Sequence, residues 1–143
     1  MAQHRDDPYV GFTYLIQISG LTTAGFNEVS GLDAEVEPIS YRNGDEDIVA
    51  RKLPGLKKFP NIVLKRGIIG DLDMFTWIQN TMGGSVDRRD GAIILRDEAR
   101  NPVLRWSFKR GWACKYTGPS LKGDSSAVAI ESLEICHELL SIA

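Results

Sequence analysis

The sequence predicts a mainly β fold, a β-sandwich or open barrel of about seven strands with one flanking α-helix. Three observations predict it. Short stretches of alternating apolar and polar residues recur along the chain, Gly, Pro, Asn and Asp punctuate them, and a single stretch carries a clear helical stripe. With 143 residues, 43% of them hydrophobic, the chain suits one packed domain over 1–143.

Each element has its own local reason. Val10 to Ile18 alternates, with Val10, Phe12, Tyr14, Ile16 and Ile18 on one side, and reads as a strand with one face in the core. After Ser19-Gly20, Phe26 to Ser30 and Ala34 to Tyr41 read as further strands. Pro38 has no N–H to give a ladder, so it places the second of these at an edge or a bulge. Arg42 to Pro60 shows neither period, and Asn61 to Arg66 resumes a strand that Gly67 and Gly70 end. Asp71 then offers a helix N-cap. Met74, Phe75, Ile78 and Met82, with Leu72 on the flank, make the helical stripe, and Gly83-Gly84 stops it. Trp77 lies off the stripe, which places it at the helix margin or against a neighbouring subunit. Gly91 to Asp97 and Val103 to Trp112 flank the turn Arg100-Asn101-Pro102 and read as a β-hairpin. Parity sets Leu104, Trp106, Phe108, Trp112, Cys114 and Tyr116 on one face, with Arg110 as the one intruder. Ser126 to Leu140 fits a strand that bulges or is covered on both faces, but Ile130, Leu133, Cys136 and Leu140 also fit a helical stripe.

The unpatterned run is the most informative part. A compact domain rarely carries so long a loop unless a partner uses it. It contains Arg42, Asn43, the acidic block Asp45, Glu46 and Asp47, then Arg51, Lys52, Leu53, Leu56, Lys57, Lys58 and Phe59. Such a segment is too apolar to stay in water and too interrupted to fold alone. These residues are read as an assembly arm that orders against another subunit; the plainer alternative is a covered surface loop.

Composition excludes several function classes. A net charge of −2 and a pI near 5.7 give no general attraction to DNA or anionic membrane. The polar N-terminus MAQHRDDPYV has no apolar core of a signal peptide, and no stretch approaches the roughly eighteen apolar residues of a membrane span. Synthesis in the cytoplasm, without membrane insertion by the monomer, is the expectation. Cys114 and Cys136 are too few for a disulfide framework; reduced thiols are expected, with a bridge only if their strands are neighbours. His4 and His137 lack zinc-ligand spacing, the glycine pairs lack phosphate-loop spacing, and GPSLKG is no nucleophile elbow. Glu131, Glu134 and Glu138 read as the solvated or inter-strand side of the last segment rather than as catalytic carboxylates. No cofactor, no metal and no enzymatic activity are predicted. The basic and aromatic run Arg105 to Tyr116 resembles a stacking surface for single-stranded nucleic acid, but its parity is that of a half-buried strand.

The order of NIVLKRG at 61–67, a helix containing Trp77, RWSFKRGWACKYTGPSL at 105–121 and AVAIESLEICHELL at 127–140 resembles the T4-type phage tail tube protein family, which also supplies inner tubes of extracellular contractile injection systems. The likeness spans nearly the whole chain; Ala113 stands where relatives frequently carry proline. The resemblance implies a fold related to the haemolysin-coregulated protein, six copies per ring, rings stacked around a channel for cargo or DNA, and an arm at 42–60 that reaches the adjacent ring. It implies as partners further copies of the chain, a sheath protein, and baseplate and tube-initiator proteins. It also implies that the last segment is one long strand. The alternatives are a tube-initiating baseplate paralogue of the same fold, or a monomeric β-barrel holding an apolar ligand.

Overall fold

The computed structural model describes residues 13–21, 26–41, 44, 51–68, 70–124 and 128–143. Nine strands and one helix follow in the order β1 (Thr13–Ile18), β2 (Phe26–Ser30), β3 (Glu35–Tyr41), β4 (Arg51–Lys58), β5 (Ile62–Gly67), α1 (Asp73–Met82), β6 (Arg89–Arg96), β7 (Pro102–Thr117), β8 (Ile130–Cys136) and β9 (Leu139–Ile142). The expected mainly β architecture with one helix holds. The strands exceed the expected count because β4 lies inside the run read as unpatterned, and because the last segment is two strands.

Seven strands form one antiparallel sheet in the order β1-β6-β7-β8-β5-β2, with β9 added to β7. β7 spans 16 residues and serves both halves of this sheet. Its first half pairs with β6 and β9, and its second half pairs with β8. The Tyr14 hydroxyl donates to the Phe26 carbonyl at 3.1 Å, bringing the end strands β1 and β2 together and curling the sheet into an open barrel. Ile16, Ile62, Leu64, Ile93, Phe108, Leu133 and Ile135 fill its interior, each at most 2% exposed. Among the described residues, apolar side chains pack this interior closely.

Arg110 is where parity reading fails. Its φ of 55° lies in the left-handed region, and the register slips there, from Gly91 opposite Phe108 to Arg89 opposite Gly111. Such a bulge inserts one residue and reverses the faces beyond it. Phe108 and then Ala113 are therefore buried, while Trp112 and Cys114 turn outward, against the single face predicted for all of them. A second slip between Ala113 and Lys115 returns Tyr116 to the core side. The Asp90 carboxylate accepts the Arg110 N–H at 2.9 Å and fixes the first bulge.

The helix is turned relative to its predicted stripe. Met74, Trp77 and Ile78 are buried, whereas Phe75 and Met82 are 41% and 66% exposed. Trp77, expected at the margin or against a neighbour, is fully buried within its own subunit; its indole N–H donates to the Asp87 carbonyl at 2.8 Å and the Arg89 guanidinium lies 4.7 Å from its ring centre. Asp71 accepts the Asp73 N–H at 3.1 Å, although the N-cap position itself is Leu72, with no side-chain cap.

The last segment is neither a helix nor one long strand. β8 buries Glu131, Leu133 and Ile135, then His137 and Glu138 interrupt the ladder and β9 buries Leu140. The interruption changes parity and lets one chain segment serve both halves of β7. Glu131, read as solvated or inter-strand, is 5% exposed. It meets Arg66, which is completely buried: Arg66 Nε donates to Glu131 Oε1 at 2.7 Å, and its other nitrogens bond the Asp73 carboxylate and the Asp71 carbonyl. Burial disfavours the guanidinium charge, but Asp73 and Glu131 outweigh it and hold the group protonated. This network ties β5, β8 and the start of α1 together.

Candidate assembly surfaces

The sequence-predicted arm divides into three parts. Arg42, Asn43, Asp45, Glu46 and Asp47 lie outside the described residues. Arg51, Lys52, Leu53, Leu56, Lys57 and Lys58 form β4, which is a correction to the absence of a strand period there. Phe59 is no part of an exposed arm surface: it packs against the core, with its ring 5.9 Å from that of His137. Phe59 thus roots the hairpin in the barrel.

β4 pairs antiparallel with β3 as a separate two-stranded sheet, with Ile39 opposite Leu53 and Tyr41 opposite Arg51. Pro38 faces Pro54 beside an irregularity in register, the bulge that proline predicted. Gly55, alone in the two strands, is partly covered; Val36, Ile39, Tyr41, Leu53 and Leu56 are 46–73% exposed. The Lys58–Glu37 pair at 3.3 Å is half in water and adds little. Neither strand packs on another element to any comparable extent. A hairpin this bare is marginal in water. Gly31 sets its exit from β2: φ is +85°, and a Cβ there would stand 2.0 Å from the Asn61 carbonyl oxygen.

Open edges are the second feature. Among the described residues, β1, β2 and β9 each pair on one side only. The register turns Gln17, Arg96, Arg105 and Lys109 to the outer side of the β1–β6–β7–β9 half, a basic face. The outer side of the β2–β5–β8–β7 half is mixed, with Lys65 paired to Glu28 at 3.3 Å and Lys115 opposite Glu134. A hollow there, lined by Asn27, Glu28, Lys65, Thr117, Ile130 and Ser132, is open to solvent.

Among the described residues, titratable groups at these surfaces form the structural pairs Lys58–Glu37 and Lys65–Glu28. Among the described residues no group of three ligand-type side chains could hold a metal ion. Cys114 and Cys136, on neighbouring strands, are free thiols, and burial together with the Cys136 thiol pushes the Cys114 thiol up to about 12, away from reactivity. Tyr116 is likewise pushed up to about 12, by burial and by its 2.6 Å hydrogen bond to Glu131.

Three solved structures share this architecture. A chain of the PVC sheath-tube complex, an extracellular contractile injection system in its extended state, is 25% identical, with TM-score 0.85 over 96% of this chain and 93% of that one. A chain of the anti-feeding prophage tube-terminating cap is 25% identical, with TM-score 0.86 over 100% and 95%. Hcp1 from Flavobacterium johnsoniae, 17% identical, shares the fold at TM-score 0.63 over 90% and 93%. No curated protein matches the chain. The chain belongs to the family of the T4-like virus tail tube protein gp19, whose model matches residues 10–141.

Proposed function

We propose that this protein is the repeating subunit of the inner tube of a contractile tail or contractile injection system, with six copies per ring and rings stacked around a channel for cargo or DNA. It is made and assembled in the bacterial cytoplasm, becomes part of a virion tail or tail-like particle, and works without bond chemistry. The β3–β4 hairpin carries this reading: it buries almost nothing in its own subunit, so its exposed apolar side chains call for another chain. The open edges of β1, β2 and β9 supply the lateral contact, since strands pairing between neighbours would join six subunits into one continuous barrel. Sheath, baseplate and initiator proteins are the expected partners, from the family and from the assemblies in which similar chains are found.

The test is negative-stain microscopy of the intact protein beside a deletion of Asp45 to Lys58. The intact chain should give rings and tubes, and the deletion a folded subunit that does not elongate. Tubes of normal length from the deletion refute the role of the arm; a monomer at high concentration, even with its initiator present, refutes the reading as a whole. A baseplate paralogue would instead stop at a single ring. The filled barrel interior speaks against the monomeric ligand-binding alternative.

A further inference from the structure

Cys114 and Cys136 take no part in the assembly surfaces above, yet the fold brings them to one place. Ala113 pairs with Ile135 and Lys115 with Glu134, so Cys114 is the residue inserted at the second slip of β7 and has no register partner in β8. Cys136 stands opposite Trp112. β8 turns Leu133 and Ile135 inward and Glu134 and Cys136 outward, onto the face that Trp112 and Cys114 share. The two thiols thus lie on neighbouring strands, on the same side and one diagonal step apart, and the Cys136 side chain is within hydrogen-bonding reach of Cys114. Both are free and half-buried, within reach of a small reagent. The Cys114 thiol donates to the Glu134 carbonyl at 3.4 Å, and the Asn61 amide, which bonds the Glu134 carboxylate at 2.7 Å, reaches the Cys114 sulfur at 3.7 Å. An inserted residue is left out of the ladder, so Cys114 can turn toward β8 more easily than a paired residue.

We propose that Cys114 and Cys136 are an oxidation site, at which a small-molecule disulfide closes a bridge between β7 and β8 within one subunit. The Cys136 thiolate attacks one sulfur of the oxidant, releases one small thiolate and becomes a mixed disulfide. Cys114 then gives its proton to water and attacks the Cys136 sulfur, releasing the second small thiolate. Each released thiolate takes up a proton that a cysteine gave up, so two protein thiols are oxidised and one small disulfide is reduced to two thiols. Burial and the Cys136 thiol hold the proton on Cys114, which suits Cys114 to the second step, where the mixed disulfide beside it makes the reaction intramolecular. In a reducing compartment the pair stays open, and in an oxidising one it closes. On the tube reading, a particle that leaves the cell makes that passage, and the bridge then ties the strand that carries Tyr116 to the strand that carries its partner Glu131.

The test exposes the reduced full chain, at a concentration too low for assembly, to mixtures of oxidised and reduced glutathione in graded ratio. In the oxidising mixtures the intact mass should fall by two hydrogen atoms. A maleimide applied under denaturant should label both cysteines before exposure and neither after it. Cys114→Ser should hold glutathione on Cys136, and Cys136→Ser should stay unmodified over the same time. The bridged chain should melt roughly 4–16 °C above the reduced one, because the closed loop restricts the unfolded chain. Free thiols in the most oxidising mixture, glutathione retained on the wild-type chain, a modified Cys136→Ser chain, chains bridged to each other, or an unmoved midpoint each overturn the proposal. None of these outcomes bears on the tube reading, which the microscopy decides, because the bridge lies within one subunit.

Discussion

Replacing Arg66 by methionine tests what ties the helix to the barrel. The guanidinium is completely buried and bonds Glu131, Asp73 and the Asp71 carbonyl, with the Phe26 ring 5.5 Å away. Methionine fills most of the volume, so packing loss is small and the change isolates charge. What remains is two carboxylates, each under 10% exposed, that have lost the guanidinium they shared. Removing one partner of a buried pair in this way costs about 3–5 kcal/mol. A domain of this size has roughly 5–15 kcal/mol to lose and moves about 2–4 °C per kcal/mol, so the midpoint should fall by roughly 6–20 °C. The assay is denaturant and thermal unfolding followed by the fluorescence of the three tryptophans, at concentrations too low for assembly to add stability. Adding Glu131→Leu and Asp73→Leu to Arg66→Met should recover much of the loss, since apolar groups can replace a buried ionic cluster at little net cost. A loss below about 1 kcal/mol in the single variant refutes the argument that this network holds α1 to β5 and β8.

Two further perturbations probe the site and its root. Tyr116 holds its proton more tightly folded than unfolded, so its contribution to stability is complete below about pH 10 and disappears as pH rises toward about 12. Phenolate absorbance should show a late ionisation that Tyr116→Phe removes and Glu131→Gln moves earlier; titration of all the tyrosines together near 10 contradicts it. Gly31→Ala demands both a left-handed alanine and a shift of the Asn61 carbonyl, and should cost more than about 1–2 kcal/mol with shorter tubes. A wild-type melting point for that variant contradicts it.

Local alternation carries most of the fold, and the failures lie where a residue is inserted or turned. β1, β2 and β5 sit where alternation places them, as far as the described residues reach, because each has one face on the core, and β3 forms where it is expected although both of its faces are exposed. Arg110 is visible as an intruder on an apolar face, but a charged residue does not announce a left-handed φ, so the reversal that buries Ala113 and turns the half-buried Trp112 to the other face stays hidden. His137-Glu138 is likewise legible only as ambiguity between periods. Trp77 and Phe75 exchange places because helix spacing alone cannot fix which edge of a broad stripe faces inward. Glu131 reads as ordinary strand polarity, since its partner Arg66 is 65 residues away and no local signal joins them. β4 escapes notice because Pro54, Gly55 and four cations conceal its alternation; the segment stands out in the sequence by its length, not by its pattern.

Those concealing residues also say how the hairpin binds. An exposed hairpin with free edges invites strand-to-strand aggregation of free copies before any assembly has begun. Pro38 and Pro54 face each other, so each strand lacks one N–H at the same level, and Lys52, Lys57 and Lys58 line β4. Proline and lysine on an edge are the usual means of refusing another strand. The same residues leave Leu53, Leu56 and Ile39 unobstructed on the hairpin's faces. Contact through side chains against a shaped partner thus stays available while ladder extension does not. On this argument a Pro54→Val variant should keep its docking contacts yet form irregular aggregates at concentrations where the wild type gives only rings and tubes; clean tubes from it would mean that the prolines serve the turn of the hairpin alone.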